Sequence, residues 1–140
     1  MRANEFVFFK KSPMLKEKKV KAMLQIKRVY EEAGAADGYR VLVDRLWPRG
    51  LSKERAHVDL WLKEVGPSRE LRQAFHGGKI DFAAFRQAYE EELKHGATRT
   101  AFLQLQEIVK EHAQVTLLFA AKNQAENQAV ILEALLKAKR

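Results

Sequence analysis

Two stretches of this chain, "YRVLVDRL" (39–46) and "VTLLFAA" (115–121), have the near-continuous apolar run of strands buried on both faces. A strand with no solvent face needs other structure packed on each side, so the pair constrains the fold more than any other feature. Between them the apolar spacing turns helical. Val58, Trp61, Leu62 and Val65 fall at i, i+3, i+4 and i+7 and predict a helix that Gly66-Pro67 stops. Ser68 can cap a short helix through Phe75, Gly77-Gly78 form a turn, and Asp81 can cap a longer helix with Phe82, Phe85, Tyr89 and Leu93 on one stripe, closed by Gly96. A further helix from about Arg99 carries Phe102, Leu105 and Val109, and a last one, after the second buried strand, turns Val130, Ala134, Leu135 and Ala138 inward. Strand, several helices, strand, helix is the order of an α/β domain, predicted here as a three-layer sandwich with a small, mostly parallel sheet.

An earlier stretch, "LQIKRVY" (24–30), alternates apolar and polar residues as a half-buried strand does. The eight residues that follow, "EEAGAADG", are few for a parallel crossover, which takes about a dozen or more. An antiparallel first strand is the simpler expectation.

Length and charge bound the rest. With 140 residues, 46% of them hydrophobic, the chain fits a single domain, expected over 23–140. Seven Lys and Arg against two acids give residues 1–22 a charge of +5 out of the formal +8, leaving +3 for the remainder. Residues 1–22 therefore read as a basic, disordered N-terminal extension, or alternatively as an arm that scans nucleic acid. Cysteine is absent, and the four histidines are scattered without a metal-binding spacing, so neither metal nor cofactor is expected. No apolar run approaches the roughly 20 residues of a membrane helix, and the expected location is the cytoplasm, with no membrane partner. A P-loop, a dinucleotide fingerprint and a GxSxG elbow are all missing.

The place where the first buried strand ends holds the chemistry. Asp44, Arg45, Trp47, Pro48 and Arg49 crowd six residues, and if the buried strands are parallel they lie beside Lys122, Asn123 and Asn127 on the carboxyl edge of the sheet, where ligands of open α/β folds bind. Neighbours on a strand face opposite sides, so Asp44 and Arg45 need separate partners. One reading makes them structural ties to adjacent helices. The other makes Arg45 and Arg49 a bidentate clamp for phosphate or carboxylate, with Asp44 orienting a guanidinium or accepting a proton. Trp47 can anchor the core or stack a ring, whereas Trp61 fits its stripe and reads as core. His76, near a helix end, can cap it or act in acid-base chemistry. Lys122 adds charge at a strand-to-helix junction that suits anions, Asn123 and Glu126 fit a capping arrangement there, and Asn127 has no role in that cap.

"VDRLWPRG", with "IKRVY", "DLWLKEVGPS", "LRQAFH" and "LLFAAKNQAENQAVIL", resembles the DUF488 family in its short YeaO-like branch, over most of residues 23–140. The resemblance implies a small bacterial α/β protein whose recurrent motifs fall at Asp44, Arg45, Trp47, Pro48, Arg49, Gly50, Trp61, His76, Lys122 and Asn127. The chain departs from the pattern at Asn123, commonly acidic, and at Glu126, commonly histidine. In longer members a helix joins the first two strands, which would make the first strand parallel and bring Tyr30 to the same edge. The leading expectation is a site for a phosphate-containing small molecule or nucleic acid built from Arg45, Trp47, Arg49, Lys122 and Asn127. The alternatives are an enzyme with Asp44 or His76 as acid-base at a phosphoryl or glycosidic centre, or a regulatory interaction domain with an exposed apolar patch.

Overall fold

The structure, a computed structural model, describes residues 23–138; the basic leader at 1–22 lies outside the described residues. Four strands form one sheet: β1 (Met23–Arg28), β2 (Tyr39–Leu42), β3 (Leu60–Trp61) and β4 (Gln114–Phe119), in the spatial order β1-β4-β2-β3. The two most apolar strands, β2 and β4, take the central places. Every pairing is parallel, with Met23 beside Gln114, Tyr39 beside Val115 and Val41 beside Leu60. All four strands therefore point their carboxyl ends at one edge. The chain is an α/β protein with a wholly parallel sheet.

The layers on the two faces are unequal. Val41, Val43, Val115, Leu117 and Phe119 face a thick helical layer, formed by α2 (Arg69–His76), α3 (Phe82–Glu92), α4 (Gly96–Glu111) and α5 (Gln128–Ala138). Ser68 and Asp81 cap α2 and α3 as expected, accepting from the amides of Leu71 and Ala84. At the centre of this layer Tyr89 is wholly buried and donates its hydroxyl to the Val65 carbonyl. On the other face Leu42 and Leu118 pack in a smaller cluster with Val29, Ala56 of the one-turn helix α1 (Lys53–Ala56), Leu51, Val58, Ala120 and the two tryptophans.

The antiparallel start is overturned. β1 does not pair with β2; β4 lies between them, and β1 runs parallel to it. The length argument failed because the strands are short. β2 has four residues, about 13 Å of extended chain at about 3.3 Å per residue, a distance that residues 29–38 can retrace without a full helix.

Charge holds that short crossover against the thin face. A single 3-10 turn, Ala35–Asp37, buries Asp37, whose carboxylate meets the Arg40 guanidinium and, at 3.1 Å, the Lys27 ammonium. Arg40 is buried too and donates to the carbonyls of Ala56 and His57 at 2.9 and 2.8 Å. Burial alone would raise the Asp37 carboxyl, but the Gly34 amide, Lys27 and Arg40 outweigh it and hold the group below its ordinary 3.8. Gly38 then turns into β2 with φ +65, and a Cβ there would lie 2.2 Å from the Gln114 carbonyl oxygen. Any other residue would meet both strain and a clash.

Two helical expectations are also corrected. Val58 to Val65 is not a helix: α1 ends at Ala56, Leu60–Trp61 pairs with Val41–Leu42 as an edge strand, and Lys63–Val65 is a 3-10 turn. Its apolar residues are split across the sheet, Val58 and Trp61 on the thin face and Leu62 and Val65 in the thick core, which imitates a helical period. The last helix begins at Gln128 and buries Ala129, Ile131, Leu132 and Leu136, not the stripe through Val130 and Ala138. Among the described residues no helix is long and apolar enough to cross a membrane.

Arg40→Ala leaves Asp37 buried without its closest partner, and loss of one member of a buried pair costs about 3–5 kcal/mol. Urea unfolding should show a drop of that size at pH 7. A loss below about 1 kcal/mol would mean that the crossover does not depend on this pair.

Candidate functional site

The ladder between β2 and β4 runs one step past the assigned strand, with the Val43 amide donating to the Leu118 carbonyl at 3.0 Å. There a side chain takes over. Asp44 Oδ2 accepts the Ala120 amide at 3.0 Å, Oδ1 accepts Gln128 Nε2 from the first turn of α5, and the Asp44 carbonyl accepts Trp61 Nε1 at 2.8 Å. One residue thus joins the ends of β2 and β4, the edge strand and a helix start.

Arg45 turns the other way. Its Nε donates to the Pro67 carbonyl at 3.1 Å, Nη2 to the Gly66 carbonyl at 2.6 Å, and Nη1 reaches Glu64 at 3.3 Å. Gly66 permits this approach, since a Cβ there would sit 2.8 Å from the Arg45 amide nitrogen. Trp47 is half-buried, donates Nε1 to the Leu51 carbonyl at 2.6 Å, and packs edge-on against Trp61 with centroids 5.4 Å apart. Both residues therefore hold the loop together. Arg49 and Lys122 are exposed and have no side-chain partner among the described residues. Asn127 is buried as the cap of α5, accepting the Val130 amide at 3.1 Å, while Asn123 holds the preceding turn by accepting from Ala125 and Glu126. Capping belongs to Asn127, one helical turn later than the Asn123–Glu126 arrangement, because the helix starts later.

Asp44, Arg45, Trp47, Arg49, Lys122 and Asn127 border a single cavity of about 450 Å³ at the carboxyl edge, together with His76 at the end of α2, whereas Asn123 does not line it. The structure thus brings together Asp44, His76, Arg45, Trp47, Arg49, Lys122 and Asn127. It also adds Arg72, which the sequence reading passed over. Arg72 lies four residues before His76, hence on the same helix face, and a basic pair at that spacing in "LRQAFH" was the available signal. Its Nε is buried with no hydrogen-bond partner among the described residues. Gln128 is a further addition, and Tyr30 reaches the edge, as the alternative of a parallel first strand implied, because β1 is parallel. The lining holds four cationic side chains, Arg45, Arg49, Arg72 and Lys122, against two carboxylates, Asp44 and Glu126, and so carries an excess of positive charge.

Burial pushes the Asp44 carboxyl from 3.8 up to about 6, against the opposing pull of the Ala120 amide, the Gln128 amide and the Arg72 charge. A carboxyl of this kind in a cleft has the proton affinity of an acid-base catalyst. Its two oxygens, however, already accept hydrogen bonds from the fold.

Two measurements follow. Because the folded state holds the Asp44 proton more tightly than the unfolded chain, its ionisation between about pH 4 and pH 6 removes stability, on the order of 3 kcal/mol in full. Asp44→Asn, with the Gln128 amide turned to accept, should gain stability relative to the parent as pH rises through that window in paired denaturation curves; a constant difference would show an ordinary carboxyl. Separately, Arg45→Ala should lower stability by about 1–3 kcal/mol, through the loss of its hydrogen bonds to the 64–67 loop, whereas Arg49→Ala should stay within about 0.5 kcal/mol. Equal effects in thermal melts would contradict the division of roles.

Over residues 23–140 the chain matches the family model described as "Inactive DUF488-N3 subclade". It is 48% identical over 109 residues to "Uncharacterized protein YeaO" of Escherichia coli K12, covering 78% of this chain and 92% of that protein. It is 38% identical over 113 residues to "Uncharacterized protein Rv3073c" of Mycobacterium tuberculosis H37Rv and to "Uncharacterized protein Mb3100c" of Mycobacterium bovis, covering 81% of this chain and 92% of each. No solved structure matches the chain significantly. The chain belongs to the DUF488 family, in the subclade whose model is described as inactive.

Proposed function

We propose that the carboxyl-edge cavity binds a phosphate-bearing ligand without turning it over. One observation carries the reading: Arg49, Arg72 and Lys122 border the same cavity, and none of their side chains has a hydrogen-bond or ion-pair partner among the described residues. Cations that only stabilise a fold are paired with carbonyls or carboxylates, as Arg40 and Arg45 are here. Three left without such partners around one cavity offer charge and donors to an anion. Arg45 shapes the wall, Trp47 seals the loop behind it, and Asn127 sets the start of α5.

The absence of turnover has separate support. The Asp44 oxygens are committed to Ala120 and Gln128, the cavity wall carries Glu126 where resembling chains commonly have histidine, and the matching subclade is described as inactive. The opposing observation is that Asp44, with a carboxyl at about 6, and His76 share one cavity, as an acid-base pair would. Asp44→Asn separates the two readings. It removes a like charge and should tighten anion binding, whereas an enzyme would lose its turnover.

The test is a thermal-shift titration of the full chain with inorganic phosphate and pyrophosphate. A ligand at a hundred times its dissociation constant adds about 2.7 kcal/mol of stability. Lys122→Ala and Arg72→Gln should each weaken the effect several-fold. No stabilisation by either anion, or stabilisation unchanged in both variants, would sink the reading.

A further inference from the structure

Resting on the phosphate reading, we infer that the cavity takes one nucleotide unit, its phosphate among Arg49, Arg72 and Lys122 and its base against Tyr30 and Leu46. Four large apolar side chains are exposed among the described residues, and two of them, Tyr30 at 41% and Leu46 at 62%, border this cavity. An anion site alone has no use for them.

Tyr30 is also held in place, which is unusual for an exposed aromatic side chain. Its hydroxyl donates to the Arg49 carbonyl at 2.8 Å, and the Arg28 guanidinium lies 4.8 Å from the ring centroid. Arg28 is itself anchored by donating to the carbonyls of Ala120 and Ala121 at 2.8 and 3.0 Å. The cation covers one side of the ring and the hydroxyl fixes its tip. What results is a plate whose ordering cost is met before a ligand arrives, and that raises affinity for a flat partner. Every base has a π-face, so stacking on such a plate is tolerant of base identity.

Position and size agree with this occupant. The Tyr30 tip is bonded to the main chain of Arg49, so plate and anion contact are joined through one residue. A cavity of about 450 Å³ lies within the range of about 300–1,000 Å³ typical of small-molecule pockets. It accommodates a single nucleotide, free or at the end of a strand.

The experiment is calorimetric titration of the full chain with ribose 5-phosphate, with a nucleoside 5′-monophosphate and with a 5′-phosphorylated trinucleotide. The mononucleotide should bind roughly 5- to 150-fold more tightly than ribose 5-phosphate, the ratio that corresponds to stacking of about 1–3 kcal/mol per base. Tyr30→Ala should bring that ratio close to one; Tyr30→Phe, which keeps the ring but loses the hydroxyl's bond to Arg49, should keep most of it. A trinucleotide that matches the mononucleotide assigns the unit to a strand end, and one that binds more weakly assigns it to a free nucleotide, both upholding the inference. Equal affinities for ribose 5-phosphate and the mononucleotide, or a ratio that survives Tyr30→Ala, would overturn the base contact while leaving the phosphate site standing. Failure of all three probes to bind would overturn both.

Discussion

The Asp44 carboxylate is the joint on which the carboxyl edge depends. A parallel sheet leaves amides and carbonyls unmatched where its strands stop, and a buried edge must satisfy them. Here the side chain of Asp44, two residues beyond the end of β2, takes the Ala120 amide that the ladder would otherwise strand, and its second oxygen holds Gln128 at the start of α5. The same residue's carbonyl holds Trp61. Placing an acid there has a cost, visible in the carboxyl's rise to about 6. The structure retains the group because no apolar residue could close the ladder and position a helix together.

From that joint the motif divides its labour. Arg45 points into the 64–67 loop and spends its donors on carbonyls, so it behaves as a latch. Trp47 and Pro48 pack the loop down, and Arg49 emerges into the open with Tyr30 bonded to its main chain. A structural tie and a cationic site are therefore successive parts of one stretch. Arg72, on α2, lines the same cavity with a buried Nε that has no hydrogen-bond partner among the described residues, and its charge acts on Asp44.

Much of this was legible in the sequence for physical reasons that are easy to name. Strands buried on both faces announce themselves by unbroken apolar runs, and parallel strands must send their ends to one edge, which is why seven candidate residues far apart in the chain meet at one cavity. Ser68 and Asp81 were readable as caps because a cap is local. What could not be read was non-local. The split of residues 58–65 across two faces depends on strand pairing with β2, and the direction of β1 depends on β4 arriving between the first two strands. Arg45 could be narrowed to a latch or a clamp, but only the position of Gly66 and Pro67 decides between them. Asn127 was seen as important without its reason, because the helix it caps starts later than the pattern implied.

The most direct measurement of the central claim is an amide correlation spectrum of the full ¹⁵N-labelled chain, followed as inorganic phosphate is added at constant pH and ionic strength. The account predicts saturable shifts confined to residues around Asp44–Arg49, Arg72–His76 and Ala120–Gln128, with the Ala120 amide among them. Shifts absent from those segments, or gathered only in the basic residues 1–22, would contradict it.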